Sequence, residues 1–237
     1  DREPKSPAET AETIEDAGSE EYAPEPAVDA AEPPQRDDRV EARQATEAVL
    51  GQLLAAKETL EGRAVQRWAG ARYEQAVAAY EAGDEAYLAR DYATATSHYE
   101  AALALFEPLL DAVDEVFSTT HDQAEAALAD ADAALALDRF DLAVAISPGS
   151  DRAQDGYDRA RNLDEVLALV EAGQEFEDNL ELDAAGESFR RAMELDEQGQ
   201  PARDGYERVQ GTRQQMDFDT RMSEGLAALA AGDYESA

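Results

Sequence analysis

The chain has 237 residues, with 55 acidic side chains against 20 basic ones, a formal net charge of −35 and no cysteine. A field of that sign repels phosphate backbones and anionic lipid, which excludes nucleic acid as a natural partner and membrane binding through a basic face. With no thiol there is no disulfide, no thiolate metal site and no cysteine nucleophile. Of the 237 residues, 50 are alanine, so any core must come from closely approaching helices rather than bulky branched side chains.

Residues 1–38 hold six of the nine prolines and almost no aromatic residue, Tyr22 excepted. Through residue 40 the balance is 13 acids against 4 bases, a net of −9. Such a segment buries too little apolar surface to offset chain entropy, and it reads as a disordered acidic linker or stalk. The chain opens on Asp1 without a methionine and closes on Ala231-Gly232-Asp233-Tyr234-Glu235-Ser236-Ala237. It is therefore expected to be a piece of a longer protein. No apolar run approaches the ~20 residues that span a bilayer, so a membrane contact would need an anchor upstream of residue 1. The acidic stalk, the missing cysteines and the scarcity of basic residues favour the periplasmic side of a bacterial inner membrane, with the cytoplasm as the alternative.

From about Asp38 proline nearly disappears, and Ala, Leu, Glu and Arg dominate. Val49, Leu50, Leu53, Leu54 and Leu60 share one helical face, which predicts a leading helix over 39–64. A second long helix is predicted from Ala64 to Ala89, with Trp68, Tyr73, Ala76, Tyr80 and Tyr87 as its apolar stripe. No segment alternates with period two, so strands are not expected and the class is all-α.

A repeat then emerges. Asp91-Tyr92 is followed by Ala95 at +3 from the tyrosine, Tyr99 at +7 and Ala102 at +10. Asp138-Arg139-Phe140 with Ala143 reads as the same turn, and Leu182 with Ala185, Phe189 and Ala192 as the next. Gly232-Asp233-Tyr234 with Ala237 is the best match to the turn. The markers Tyr92, Phe140, Leu182 and Tyr234 lie 48, 42 and 52 residues apart. In a second register, Asp155-Gly156-Tyr157-Asp158-Arg159 and Asp204-Gly205-Tyr206-Glu207-Arg208 are near copies 49 apart. Small residues let two antiparallel helices approach, and the aromatics fill the groove between pairs.

The pattern Gly-Asp-Tyr-x-x-Ala-x-x-x-Tyr-x-x-Ala-Leu resembles the tetratricopeptide repeat (TPR), with Arg90 where the family has glycine. The resemblance covers residues 65–237. It implies antiparallel helix pairs stacked as a right-handed α-solenoid, with a concave surface formed by the first helices that captures a partner peptide or protein. The spacing exceeds the 34 residues of the standard repeat, so extended or additional helices are expected. Ser147-Pro148 at +7 of the Phe140 unit predicts a short second helix there. An exposed break should follow over Pro148–Asp151, with Asp151 as N-cap.

Chemistry is sparse. The glycines, such as Gly149, Gly156 and Gly173, are isolated and form no phosphate loop. His98 is expected to pack beside Tyr99. His121 is expected at a helix start capped by Thr119 or Thr120, since a metal there would lack further ligands. Asp130-x-Asp132 lies in a helical alanine run, with Leu135 where a calcium loop needs glycine. Tyr73, Tyr80, Tyr87, Tyr92 and Tyr99 could line a peptide groove, but Tyr92 and Tyr99 occupy repeat-defining packing slots and the series reads as core, as do Tyr157 and Tyr206 in their equivalent copies. Ligand contact is left to first-helix positions such as Glu85, Gln174 and Glu224. The expectation is a non-enzymatic scaffold without cofactor or metal, favouring a basic partner. The alternative is an architectural spacer or self-association module of a membrane-anchored envelope protein.

Overall fold

The computed structural model describes residues 36–231, all helix and short connections. Residues Asp1–Val40 and Glu41–Ala237 form separate units. The acidic arm, apart from its last residues in the first helix, lies outside the described residues, and so do Tyr234 and Ala237. Among the described residues the class is all-α: seven helices and no strand. They are α1 (Arg36–Glu61), α2 (Val65–Leu88), α3 (Tyr92–Ala129), α4 (Ala133–Ile146), α5 (Asp151–Asp178), α6 (Leu182–Leu195) and α7 (Gln200–Ala231).

Helices alternate in length after α2. α4 and α6 have 14 residues each, whereas α5 has 28 and α7 has 32. α3, with 38 residues, runs through the place where a break between units was expected. Its N-terminal part packs on α2 as a second helix, and its C-terminal part pairs with α4 as the next first helix. The wide spacing between the recurring motifs is taken up by the long helices α3 and α5, not by additional ones.

Three turns share one construction. At the ends of α2, α3 and α5 the chain passes through a left-handed residue, Arg90 (φ 64°), Ala131 (φ 59°) and Leu180 (φ 61°). Each turn closes with the paired bonds of a Schellman motif. The Asp91 amide donates to Ala86 and the Arg90 amide to Tyr87, at 3.0 and 2.9 Å. The Asp132–Ala127 and Glu181–Phe176 bonds repeat the longer of these at 2.9 and 2.8 Å. The residue after each left-handed position caps the next helix. Asp91 Oδ1 accepts from the Thr94 amide, and Asp132 Oδ1 from the Leu135 amide. Glu181 makes no such side-chain bond, its carboxylate standing one methylene further out than the favoured caps.

These turns correct the reading of the middle unit. Asp138-Arg139-Phe140 is not a turn but the interior of α4; the turn is Asp130-Ala131-Asp132, eight residues before Phe140. Phe140 therefore matches Tyr99 and Phe189, and Ala143 matches Ala102 and Ala192, while Ala136 takes the place of Ala95 and Ala185. Spacings between N-caps 91, 132 and 181 become 41 and 49 residues. α4 is no shorter than α6. Thr119, Thr120 and His121 lie inside α3, not at a helix start. The break after α4 does fall at Ser147–Ser150, but Ser150 is the N-cap, its Oγ accepting from the Ala153 amide at 3.4 Å.

The core is a series of three clusters. The first joins α1, α2 and α3 around Leu53, Leu60, Tyr99 and Phe106. The second joins the end of α3 to α4 and the start of α5 around Phe140. The third joins the end of α5, α6 and the start of α7 around Phe189 and Val209. α4 thus packs between α3 and α5, and α6 between α5 and α7.

Candidate functional site

The repeat-defining residues that the structure describes are core. Ala95, Tyr99, Phe140, Ala143, Ala185 and Phe189 have no exposed surface, Leu182 is buried and Tyr92 half-buried. What unites the three rings is the glycine that each meets on a neighbouring helix. The Tyr99 ring lies where a Cβ on Gly83 of α2 would be 2.5 Å away. The Phe140 ring occupies the space beside Gly156 of α5 in the same way. The Phe189 ring lies between Gly173 of α5, where a Cβ would be 2.8 Å away, and Gly205 of α7, where it would overlap further. Mid-helix glycine costs about 1 kcal/mol against alanine, so these glycines are retained for the close approach. The Asp-Gly-Tyr copies supply two of the four glycine seats, Gly156 and Gly205, with Tyr157 and Tyr206 packed at their flanks. Sequence reasoning passed over the glycines as isolated. Their signal is positional: Gly83 and Gly173 each precede their N-cap acid by eight residues, and Gly156 and Gly205 each follow the ring by sixteen.

The tyrosine series on α2 and α3 forms paired contacts, as packing requires. Tyr80 stacks on Tyr99 at 6.1 Å, Tyr87 meets Tyr92 edge-on at 5.5 Å and Tyr73 meets Phe106 at 5.6 Å. Buried hydroxyls find acids. Tyr99 donates to Asp84 Oδ1 and Tyr73 to Glu61 Oε1, each at 2.6 Å. Burial, then the adjacent carboxylate, pushes both phenols well above their ordinary range. The Tyr87 hydroxyl and Arg43 hold the Glu47 carboxyl below its ordinary value.

Charged groups brace the joints from outside. Arg159 of α5 donates from Nε to Asp196 Oδ1 at 3.0 Å, and its Nη1 lies 3.4 Å from Glu125 Oε2 of α3. Asp196 is buried, and the same Oδ1 accepts from the Gln198 amide at 2.9 Å. Asn162 donates to the Leu195 carbonyl at 3.4 Å beside it. One guanidinium thereby ties α3, α5 and the α6–α7 connection. Between Arg161 and Arg190 the sequence carries nine acids and no base. Two arginines of α7 reach back to this stretch, Arg208 to Glu177 and Arg213 to Asp183.

Individual candidates fall as follows. Asp130 and Asp132 sit in the α3–α4 turn, not inside a helix, and among the described residues no group of three or more acids and histidines is placed to hold a metal ion. His98 is half-buried on α3. His121 is buried, its ring edge-on to Phe140 at 5.6 Å and its two nitrogens 4.0 Å from Asp122 and Glu125. Glu85, Gln174 and Glu224 are all exposed, on α2, α5 and α7; Glu85 precedes its N-cap by six residues and Gln174 by seven, so those two are not equivalent positions. No helix among the described residues is long and apolar enough to cross a membrane. No family model, curated protein or solved structure matches the chain.

Proposed function

We propose that the helical unit is a non-enzymatic protein-interaction scaffold, a right-handed TPR-like α-solenoid that captures a partner peptide on the surface formed by its first helices. The observation that carries this reading is the recurrence of one joint, a second-helix aromatic ring on a first-helix glycine, at Tyr99, Phe140 and Phe189. The Phe189 ring meets glycines on two long helices, Gly173 of α5 and Gly205 of α7, and a rigid, pre-formed surface of this kind loses little entropy on binding. The acidic run of α5 favours a basic partner, and its exposed Glu171 and Glu175 would meet that partner directly.

Selection of displayed peptides against residues 41–237 tests the reading. Enriched sequences should be basic and share a motif, and their affinity should fall with salt and with Glu171→Lys and Glu175→Lys together. Absence of any enriched motif overturns it. A second reading, an architectural spacer or self-association module, draws on the Pro-rich acidic arm that precedes the helices. Concentration-dependent oligomers in analytical ultracentrifugation would support that reading over the first.

A further inference from the structure

The three joints differ at two positions beside the ring. Counting back eleven residues from the N-caps at 91, 132 and 181 gives Tyr80, His121 and Val170. Tyr80 stacks on the Tyr99 ring, His121 lies edge-on to the Phe140 ring at 5.6 Å, and Val170 packs in the Phe189 cluster. Seven residues before the same N-caps stand Asp84, Glu125 and Gln174. In the first joint Asp84 Oδ1 accepts from the Tyr99 hydroxyl at 2.6 Å. In the second the ring is Phe140, which has no hydroxyl to give, and Glu125 Oε1 instead faces His121 Nε2 at 4.0 Å. The third joint has neither an acid nor a donor at these positions. Among the described residues, His121 Nε2 is the one buried side-chain nitrogen or oxygen without a hydrogen-bond partner. A buried polar atom left unpaired costs free energy, and a charge that closes the gap to Glu125 would recover it.

We infer that His121 and Glu125 form a proton-operated latch on the middle joint, the counterpart of the fixed Tyr99–Asp84 bond. Uptake of a proton from solvent places a cationic N–H opposite Glu125 Oε1. Charge-assisted bonds of this kind are shorter and roughly twice as strong as neutral ones. The other carboxylate oxygen, Oε2, already faces Arg159 Nη1 at 3.4 Å, so one carboxylate holds both cations. Asp122 Oδ1, 4.0 Å from Nδ1, favours the cation as well. Burial opposes it, as do two groups of α5: Arg159, and Arg152, whose guanidinium lies over the neighbouring Phe117 ring at 4.7 Å. From α4 the ring meets Phe140. Because both carboxylates address the ring nitrogens themselves, the balance favours the proton in the folded chain. The latch therefore tightens the tie between α3 and α5 in acid and releases it as pH rises through the imidazole range. It acts on the frame of the repeat and does not depend on the peptide-capture reading, which uses exposed residues.

Urea unfolding of the full chain at about pH 5.5 and about pH 7.5 tests the latch. Each protein is compared with itself across the two conditions, which cancels His98 and the shared response of the surface acids. On acidification the parent's folding equilibrium constant should gain roughly threefold or more over that of His121→Phe. That ring carries no proton, and Tyr80 and Val170 show that the slot takes an apolar side chain. Glu125→Gln, at a half-buried position and of nearly the same shape, should lose the gain too. An equal response in all three proteins overturns the inference. So does a parent that loses stability relative to His121→Phe in acid, the behaviour of a histidine held neutral by burial. A gain that survives Glu125→Gln also overturns it.

Discussion

The phenyl ring of Phe140 lies against the Cα of Gly156 so closely that a β-carbon there would overlap ring atoms. The contact joins α4 to the helix that follows it, and Phe189 repeats it with Gly205 of α7. It explains why helices with strong intrinsic propensity keep glycine at these points and why alanine fills the rest of the interface.

Replacing these glycines should therefore run against helix propensity. Gly205→Ala is expected to destabilise the protein by roughly 1–3 kcal/mol through overpacking. Gly211→Ala, in the same helix with nothing near its Cα, should stabilise it by about 0.5–1 kcal/mol. Urea melts of the two variants with unchanged m-values check the pair.

The left-handed turn residues predict the opposite response. Leu180 is 67% exposed and held at φ 61°, a conformation that costs a side chain roughly 1 kcal/mol. Leu180→Gly should recover up to about 1 kcal/mol, and Glu181→Asp should add roughly as much by completing the missing cap. Thermal melts of each variant, compared with Arg90→Gly, show whether all three turns carry this strain.

How much of this was legible beforehand depends on which signal each turn retains. Tyr92 and Leu182 are the first residues of α3 and α6, where an apolar residue directly follows the acid before each helix. The middle turn was displaced by seven residues because Ala133 stands in that slot and Phe140, the joint ring, took its place in the pattern. Glycine, the usual marker of a left-handed helix end, is absent from all three described turns, where Arg90, Ala131 and Leu180 stand. The fusion within α3 was also hidden, since Pro108 lies inside it without ending it. The regularity that survives in all three units is a capping acid followed at +8 by an aromatic: Asp91 and Tyr99, Asp132 and Phe140, Glu181 and Phe189.

Alkaline pH should unfold the protein through its buried phenols. Tyr73 and Tyr99 have folded-state pKa values raised above the unfolded value of about 10. Their contribution is complete below pH ~10 and is lost as pH climbs toward the folded values, because the unfolded chain releases those protons first. Absorbance at 295 nm should show these two tyrosines ionising together with loss of helix signal, and Tyr99→Phe should move the alkaline midpoint upward.

Removing the arm's −9 leaves 42 acids and 16 bases over residues 41–237, a net of −26. The self-repulsion is thus spread along the helices and is screened by salt. The melting temperature should rise between low and molar sodium chloride, by roughly 2–4 °C for each kcal/mol recovered. A flat profile would show that the acidic surface carries no net repulsive cost.

Arg159 offers a separate handle on the junction of α3, α5 and the α6–α7 connection. Arg159→Met keeps the aliphatic stem but leaves buried Asp196 without its cation. A loss of roughly 2 kcal/mol is expected at neutral pH, read from chemical denaturation.

The ring-on-glycine joint is tested most directly by a double-mutant cycle between Phe189 and Gly205. If the ring is what excludes a side chain at 205, Gly205→Ala should cost its roughly 1–3 kcal/mol only in the parent protein. In a Phe189→Leu background the same substitution should be neutral or stabilising, leaving a coupling energy of at least about 1 kcal/mol. Additive effects, with coupling below about 0.3 kcal/mol, would contradict the joint and the repeat architecture built on it.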